Sequence, residues 1–303
     1  MVTLVRANNS SAMTLTGTNS YVIGCGDGAA LVIDPGPPFE EHLQALVGTA
    51  AAQGLTIAAI VLSHAHPDHA MAAPHLSAAT GAPVYAHPQS RAPHDVDLPL
   101  ESELWVGARA MKCIDAPGHS NDHAIFYLEP EAALFTGDTI LGEGTTVIAP
   151  PGGALRPYQR TLQRLAGEFP AAVLIYPGHG PVVTDPAAKI AEYIAHRQMR
   201  EVQVLEALTE RPMTIPDLVR RIYGTQRQVL WPAMARQVLA HLVALEGEGR
   251  VAAKRLDRPF TEDEAAMLNP RITDFVGPEE AAVIVAELGT EMRLETLYRY
   301  RLT

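Results

Sequence analysis

The chain has 303 residues, of which 47% are hydrophobic and 19% are charged, and its formal net charge is −11 at pH 7. The length exceeds one typical domain and the hydrophobic content supports a sizeable core, so we predict a globular protein of two domains. The only cysteines, Cys25 and Cys113, exclude a disulfide framework and are predicted to pack as small apolar groups. Residues 1–6 lack a secretory signal and no run approaches the roughly 18 apolar residues that span a bilayer, so the predicted location is cytoplasmic.

Strand and helix signals alternate along the first 185 residues. Short β-prone runs bounded by Gly or Pro predict strands at 20–23, 30–33, 57–62, 83–86, 111–115, 125–128, 133–136 and 173–176. Helical patterns are predicted at 39–53, 68–80 and 157–167. Such units pack sheet on sheet with helices outside, which indicates an α/β fold, a four-layer αββα sandwich whose loops gather at one edge.

The sequence becomes helix-rich after Asp185-Pro186. Apolar residues recur at helical spacing over 187–208, and two more helical stretches follow at 214–219 and 231–245. A Gly-containing turn then leads into a short strand near 250–254. Three helices and a hairpin tip predict a mainly helical, winged-helix-like module. We therefore divide the chain into an α/β domain at 1–186, an accessory module at 187–256 and a C-terminal extension at 257–303, predicted to be helical and without an assigned role.

Residues 63–69 read Ser-His-Ala-His-Pro-Asp-His and directly follow the apolar run 57–62. A buried strand would deliver this loop to the surface, where His64, His66, Asp68 and His69 could turn toward one point. Imidazole nitrogens and a carboxylate oxygen are the ligands that zinc favours. The alternative, a set of solvated loop histidines, is disfavoured because the cluster does not stand alone.

Three further ligand-type residues each follow a short β-prone run that is broken by Gly or Pro-Gly. They are His119, Asp138 and His179. A lone histidine in such a loop is more often structural, but three residues in the same context favour a shared metal site. Two divalent cations about 3.5 to 4 Å apart can share a water and lower its pKa to around 7, so no side-chain nucleophile is required. Ser63 and Ser120 are accordingly predicted to form hydrogen bonds within their loops.

The motif His-x-His-x-Asp-His, followed by His, Asp and His, resembles the metallo-β-lactamase-fold hydrolase superfamily over roughly residues 15–185. The resemblance implies a first metal held by His64, His66 and His119, a second held by Asp68, His69 and His179, and a bridging carboxylate from Asp138. It also implies that Asp68 and Asp138 are catalytic. The ligand set suits two zinc ions best, and iron or manganese occupy similar sets.

Two further segments indicate which branch of this superfamily the chain resembles. Residues 137–146 and the pattern Tyr193-x-x-His196-Arg197-x-x-Arg200-Glu201 resemble the β-lactamase-like protein two branch, which includes a single-strand endoribonuclease and acyl thioesterases. Penicillin hydrolysis is disfavoured, because enzymes with that activity generally lack either the second-site histidine or the bridging aspartate. This chain has both, at His69 and Asp138.

A metal-bound imidazole needs its other nitrogen held by an acceptor. Asp34 ends a predicted strand at the same sheet edge and is the first candidate, with a strand-terminating turn as the equal alternative. Asp122 and His123 lie close after His119; His123 is a candidate proton donor, although a structural role is favoured. The resemblance adds pocket candidates at Asn19, Tyr21, Glu143, Thr145 and Thr146.

The distribution of charge separates the possible functions. Residues 187–258 hold twelve basic and eight acidic residues, a net +4, whereas the rest of the chain carries −15. An acidic body is a poor surface for phosphate backbones. The first hypothesis is therefore a hydrolase in which a metal-bridging hydroxide attacks a small acyl thioester or ester, with the basic module contacting an anionic carrier or forming an ordinary solvated surface.

Two alternatives stay open. The first is a metal-dependent endoribonuclease on single-stranded RNA, which the branch resemblance and the basic module motivate. The second is a ligand-sensing winged-helix regulator, which the intact ligand set disfavours. Sequence-specific DNA is not an expected partner, because 231–245 offers only Arg236 and His241 for a recognition helix. No membrane partner is expected, and a homo-oligomer is left open.

Overall fold

The computed structural model describes residues 1–269 and 296–303. Its contacts divide the chain into two units, which do not follow chain order. The first unit comprises Met1–Pro117, Asn121–Thr146 and Arg164–Ile190, and the second comprises Gly118–Ser120, Val147–Gln163 and Ala191–Thr303. The boundary at residue 186 stays a prediction; in this division two earlier segments are grouped with Ala191–Thr303.

The first unit contains two sheets. In the six-stranded sheet the order is β1 (Val2–Arg6), β2 (Asn19–Gly26), β3 (Ala29–Ile33), β4 (Thr56–Val61), β5 (Val84–Ala86) and β6 (Val96–Asp97). The five-stranded sheet consists of β7 (Ser102–Val106), β8 (Arg109–Asp115), β9 (Ala124–Leu128), β10 (Ala133–Gly137) and β11 (Leu174–Pro177), in the reverse order. All eight predicted strands are confirmed, and β1, β6 and β7 are additional.

Five helices occur between or after these strands in the chain. They are α1 (Glu40–Ala52), α2 (Pro67–Ala70), α3 (Ala73–Thr80), α4 (Leu155–Glu168) and α5 (Pro186–Glu210). The helix predicted at 68–80 is two helices, since Met71 and Ala72 interrupt it. Within residues 1–269 and 296–303, no helix combines the length and apolar character that crossing a bilayer requires.

Alternation along the strands builds the layers of the sandwich. On β2, Ile23 belongs to the same buried cluster as Phe126 and Phe135 of the other sheet, whereas Val22 belongs to the cluster that contains Leu46 of α1. Each such side chain contributes roughly 1.5–3 kcal/mol when it is fully buried. The opposite face of the second sheet is covered as well, because Phe169, which follows α4, packs 5.0 Å from the ring of Tyr127 on β9. The predicted αββα sandwich is confirmed.

Both cysteines lie in the core between the two sheets. Cys25 and Cys113 are free thiols and are almost fully buried. Burial raises the pKa of Cys113 to about 12 and raises that of Cys25 above its ordinary value. The prediction that they pack as small apolar groups is confirmed.

The described part of the second unit has the arrangement of a winged helix. Its helices α6 (Ile215–Tyr223), α7 (Trp231–Gly247) and α8 (Glu262–Leu268) accompany a three-stranded antiparallel sheet in the order β12 (Met213–Thr214), β14 (Tyr298–Leu302) and β13 (Val251–Arg255). The helix predicted across 257–303 is present only at α8 among the described residues. Tyr298–Leu302 is instead a strand that pairs with β12 and β13, and its Tyr300 is buried between the exposed Arg299 and Arg301. Residues 270–295 of that prediction lie outside the described residues.

Helix α6 begins with a capping box. The Asp217 N–H donates to Thr214 Oγ1 at 3.3 Å, and the Thr214 N–H donates to Asp217 Oδ2 at 3.0 Å. We expect Thr214→Ala to lower the free energy of unfolding of the second unit by about 1 kcal/mol, because a backbone donor loses its acceptor. Thr214→Ser keeps the hydroxyl and should remain within a few tenths of a kcal/mol of the wild type.

The measurement is a urea titration followed by the fluorescence of Trp231, which lies in the second unit. The chain has only two tryptophans, and Trp105, which is 63% exposed, is replaced by Phe in every protein compared. Equal midpoints for Thr214→Ala and Thr214→Ser would contradict the role assigned to the cap.

Candidate metal centre

The loop after β4 places three of the predicted ligands within one turn. His66 precedes α2 in an extended conformation, and Pro67 occupies the first helical position, where its missing N–H costs nothing. Asp68 and His69 then follow on the same short helix. Strand, proline and helix together place these three side chains within four consecutive residues.

The first group of ligand-type atoms comes from this loop and from the end of β10. His64 Nε2 lies 2.9 Å from His66 Nδ1. Ligand atoms of these two residues and of Asp138 all lie within 4.8 Å of one another. The two imidazole nitrogens therefore face a common point beside a carboxylate.

In the second group, the distances among the ligand atoms match those around a tetrahedral metal ion. Asp68 Oδ2 lies 3.5 Å from His69 Nε2 and 3.1 Å from His179 Nε2. The two imidazole nitrogens are 3.2 Å apart, and Asp138 Oδ1 lies 3.4 Å from each of them. Four ligands in a tetrahedron around zinc, at about 2.0–2.1 Å from it, are separated by about 3.3 Å. The donor set therefore fits a divalent ion, and Asp138 is close enough to both groups to be shared.

The charges of the second group favour a bound cation. Burial opposes ionisation of Asp68, but His69 and His179 hold the pKa of this carboxyl below its usual range. Burial likewise opposes charge on His69, yet Asp68, Asp138 and Asp34 raise the pKa of its imidazole above the ordinary value. Carboxylates so close together attract positive charge, which protons or metal ions can supply.

Asp34 supports two of the candidate ligands. It directly follows β3 and is buried. Its carboxylate accepts hydrogen bonds from the Ser63 N–H at 2.7 Å and the Ser63 hydroxyl at 2.6 Å, and it lies 2.9 Å from His69 Nδ1. Ser63 Oγ also lies 2.9 Å from His64 Nδ1. With Nδ1 held in this way, each imidazole directs Nε2 toward the centre, the usual arrangement of a metal-binding histidine.

The loop that carries His179 is held by β2. Asn19 Nδ2 donates to the carbonyls of Pro177 at 3.0 Å and Gly180 at 2.8 Å, and the Tyr21 hydroxyl donates to Pro177 at 2.6 Å. Both side chains are buried, so they hold the loop backbone through these hydrogen bonds. His179 Nδ1 lies 3.3 Å from the Gly17 carbonyl oxygen, which again leaves Nε2 directed toward the carboxylates.

His123 and Asp122 support neighbouring groups. The buried His123 ring stacks on the ring of His64 with centroids 4.8 Å apart, and its Nε2 accepts the Asp138 N–H at 3.1 Å. Asp122 Oδ2 accepts the Ala65 N–H at 3.1 Å. Both residues therefore fix the backbone around the predicted ligands.

His119 belongs to a short turn of the second unit, Gly118–Ser120. Its Nδ1 lies 2.9 Å from the Val147 carbonyl oxygen. As with His179, a backbone carbonyl holds Nδ1, which makes Nε2 the nitrogen suited to a metal.

The remaining pocket candidates lie on the loop after β10. Thr146 is buried, Thr145 is partly exposed and Glu143 is exposed.

Close approach of the backbone adds a residue that the sequence analysis did not name as a site residue. A Cβ atom on Gly178 would lie 2.6 Å from His69 Cε1 and 2.7 Å from Asp138 Oδ1. Glycine is required there for space, since either contact is shorter than atoms tolerate. The Pro-Gly-His sequence was the available signal, because Gly178 directly precedes His179.

Family models match both parts of the chain. The model of the metallo-beta-lactamase superfamily matches residues 13–104 and 90–179. The model of the beta-lactamase associated winged helix domain matches residues 214–258.

Individual proteins agree with these matches. A beta-lactamase-like protein 2 homolog from Drosophila melanogaster is 33% identical over 270 residues, covering 83% of this chain and 90% of that protein. An atrochrysone carboxyl ACP thioesterase from Aspergillus chevalieri is 31% identical, covering 83% and 82% respectively. The crystal structure of a metallo-beta-lactamase family protein from Thermus thermophilus shares the fold, with a TM-score of 0.69, 24% identity and coverage of 84% and 95%. The chain therefore belongs to the metallo-beta-lactamase superfamily of hydrolases and carries the associated winged-helix domain.

Proposed function

We propose that the protein is a dinuclear metal-dependent hydrolase of an acyl thioester or ester. The observation that carries the proposal is the set of five separations, all between 3.1 and 3.5 Å, among the ligand atoms of Asp68, His69, His179 and Asp138. In this proposal Asp68, His69 and His179 hold the second ion and His64, His66 and His119 hold the first, with Asp138 shared. Zinc suits these ligands best, and iron and manganese are further candidates.

The chain's own residues would prepare such a centre. When bound, two divalent ions supply an ionised water and a Lewis acid for the carbonyl under attack. Asp68 serves as an ionised ligand, since its carboxyl pKa is held low. The Ser63 hydroxyl is engaged with Asp34 and His64, which favours a solvent nucleophile over this serine.

Two observations support an acyl substrate. A relative that aligns with 83% of this chain is named as a thioesterase acting on an acyl carrier protein. In addition, the chain outside residues 187–258 carries −15, which disfavours a polyphosphate substrate such as RNA. Cleavage of single-stranded RNA is therefore the competing outcome in the activity test.

The first test removes one ligand. We expect His66→Ala to lose at least one equivalent of metal by elemental analysis and all measurable hydrolysis of acyl-CoA, acylglutathione and simple ester substrates. His75→Ala is the matched control, because His75 lies exposed on α3; it should match the wild type in both measurements.

An unstructured oligoribonucleotide is assayed beside these substrates with the same three proteins. Retained hydrolysis in His66→Ala would contradict the proposed centre. RNA cleavage by the wild type without thioester or ester turnover would replace the acyl substrate and leave the metal centre in place.

The second test concerns Asp34. Asp34→Asn keeps the shape of the side chain and removes its charge, so His69 Nδ1 loses its carboxylate partner. We expect metal affinity to fall by roughly 10- to 100-fold, measured by competition with a chromophoric chelator. Asp27→Asn is the control, because Asp27 is exposed and has the same backbone φ of 49° as Asp34. Wild-type affinity in Asp34→Asn would show that this carboxylate does not support the site.

A further inference from the structure

One peptide group of the second unit makes hydrogen bonds on both sides. The carbonyl oxygen of Val147 lies 2.9 Å from His119 Nδ1, and the N–H of Ile148, which belongs to the same peptide group, donates to Gln237 Oε1 at 3.2 Å. Because a peptide group is planar and rigid, a constraint on its N–H also fixes its carbonyl. The side chain of Gln237, on α7 of the winged helix, thereby helps to set the acceptor for His119.

A second donor fixes Gln237 itself. Arg197 on α5 donates from a guanidinium nitrogen to Gln237 Oε1 at 2.9 Å. Since both neighbours of this oxygen are donors, the orientation of the amide is determined by its partners. Arg197 is 1% exposed and Gln237 is 6% exposed, so water does not compete for these contacts.

The turn that carries His119 is held from another side by the same network. The Arg197 guanidinium lies over the Tyr158 ring, 5.1 Å from its centroid. The Tyr158 backbone packs so closely on Gly118 that a Cβ atom there would lie 2.4 Å from Tyr158 Cα. The Ala154 N–H also donates to the Gly118 carbonyl at 2.8 Å. Two routes therefore lead from Arg197 to the backbone and the ring of His119.

The cost of this arrangement argues against simple packing. A buried charge is expensive to desolvate, and apolar residues of similar volume commonly stabilise a protein as well or better. A network that only joined α5 to α7 would need no charge. Instead, the Arg197 guanidinium donates to Gln237 Oε1, which is the same oxygen that accepts the Ile148 N–H.

We propose that Gln237 and Arg197 are positioning residues for His119, so that the winged-helix unit fixes the tautomer and ring plane of a metal ligand. This inference rests on the proposed function, in which His119 binds the first metal. It assigns a role to Arg197 and its sequence pattern 193–201, which no metal ligand or substrate contact has accounted for.

The test compares two substitutions at one position. Gln237→Leu removes the acceptor, whereas Gln237→Glu keeps an oxygen for both donors. We expect Gln237→Leu to weaken binding of one of the two metal ions by about tenfold, at the lower end of the effect of groups that orient a ligand, and Gln237→Glu to stay within about twofold of the wild type. Binding is measured by chelator competition, and the absorption spectrum of the cobalt-substituted protein reports on ligand geometry at the weakened site.

Two further variants separate positioning from loss of stability. Thr214→Ala destabilises the same unit without contacting this network, so its metal affinity and cobalt spectrum should match those of the wild type. Arg197→Met keeps the side-chain stem and removes the guanidinium; it should change both readouts in the same direction as Gln237→Leu, and it carries the test if Gln237→Leu does not fold.

Wild-type affinity and spectrum in Gln237→Leu or Arg197→Met would overturn the inference while leaving the proposed function intact. Equal weakening by Thr214→Ala would overturn it too, since general destabilisation would then explain the effect. A wild-type protein that binds no metal would instead overturn the proposed function, and with it the inference.

Discussion

The buried carboxylate of Asp34 connects the fold to the candidate metal centre. Parallel pairing of β3 with β4 brings Asp34 beside the loop that follows β4, and the Asp34 N–H donates to the Val61 carbonyl at 2.9 Å. From that position one side chain contacts Ser63 at the start of the loop and His69 beyond it. A one-residue change of register would move the carboxylate to the other face of the sheet, so sheet pairing and ligand orientation are a single constraint.

The same geometry makes the cluster a favourable place for positive charge. Asp68 and Asp138 both lie within 3.5 Å of His69 Nε2, in a region where burial opposes every unpaired charge. A ligand that binds only the folded state stabilises it by about 2.7 kcal/mol at a concentration of 100 times its Kd. In the proposed function, metal binding would therefore add to the stability of the first unit, because the carboxylates that attract a cation are positioned by the folded chain.

The sequence pattern was sufficient to predict strands and the loops that follow them, because these depend on neighbouring residues. His119, Asp138 and His179 each follow a β-prone run broken by Gly or Pro-Gly, the loop 63–69 directly follows an apolar run, and the predicted strands are themselves such β-prone or apolar runs. It was insufficient for β6, which has two exposed residues, and for the break at Met71, because neither has a periodic signal. Contacts between distant residues were also invisible: Tyr21 reaches Pro177 across 156 positions, and Gln237 reaches Ile148 across 89. Only the folded chain shows that Asn19 and Tyr21 donate hydrogen bonds to the backbone of the loop that carries His179.

The two thiols between the sheets can report how often the two sheets separate. Cys25 and Cys113 both belong to the first unit and are shielded from solvent by side chains of both sheets. A thiol reacts with an alkylating reagent only as the exposed thiolate, so each modification event requires the layers to part. The rate of labelling in native buffer thus reports the free energy of that opening, separately from any motion confined to the winged helix.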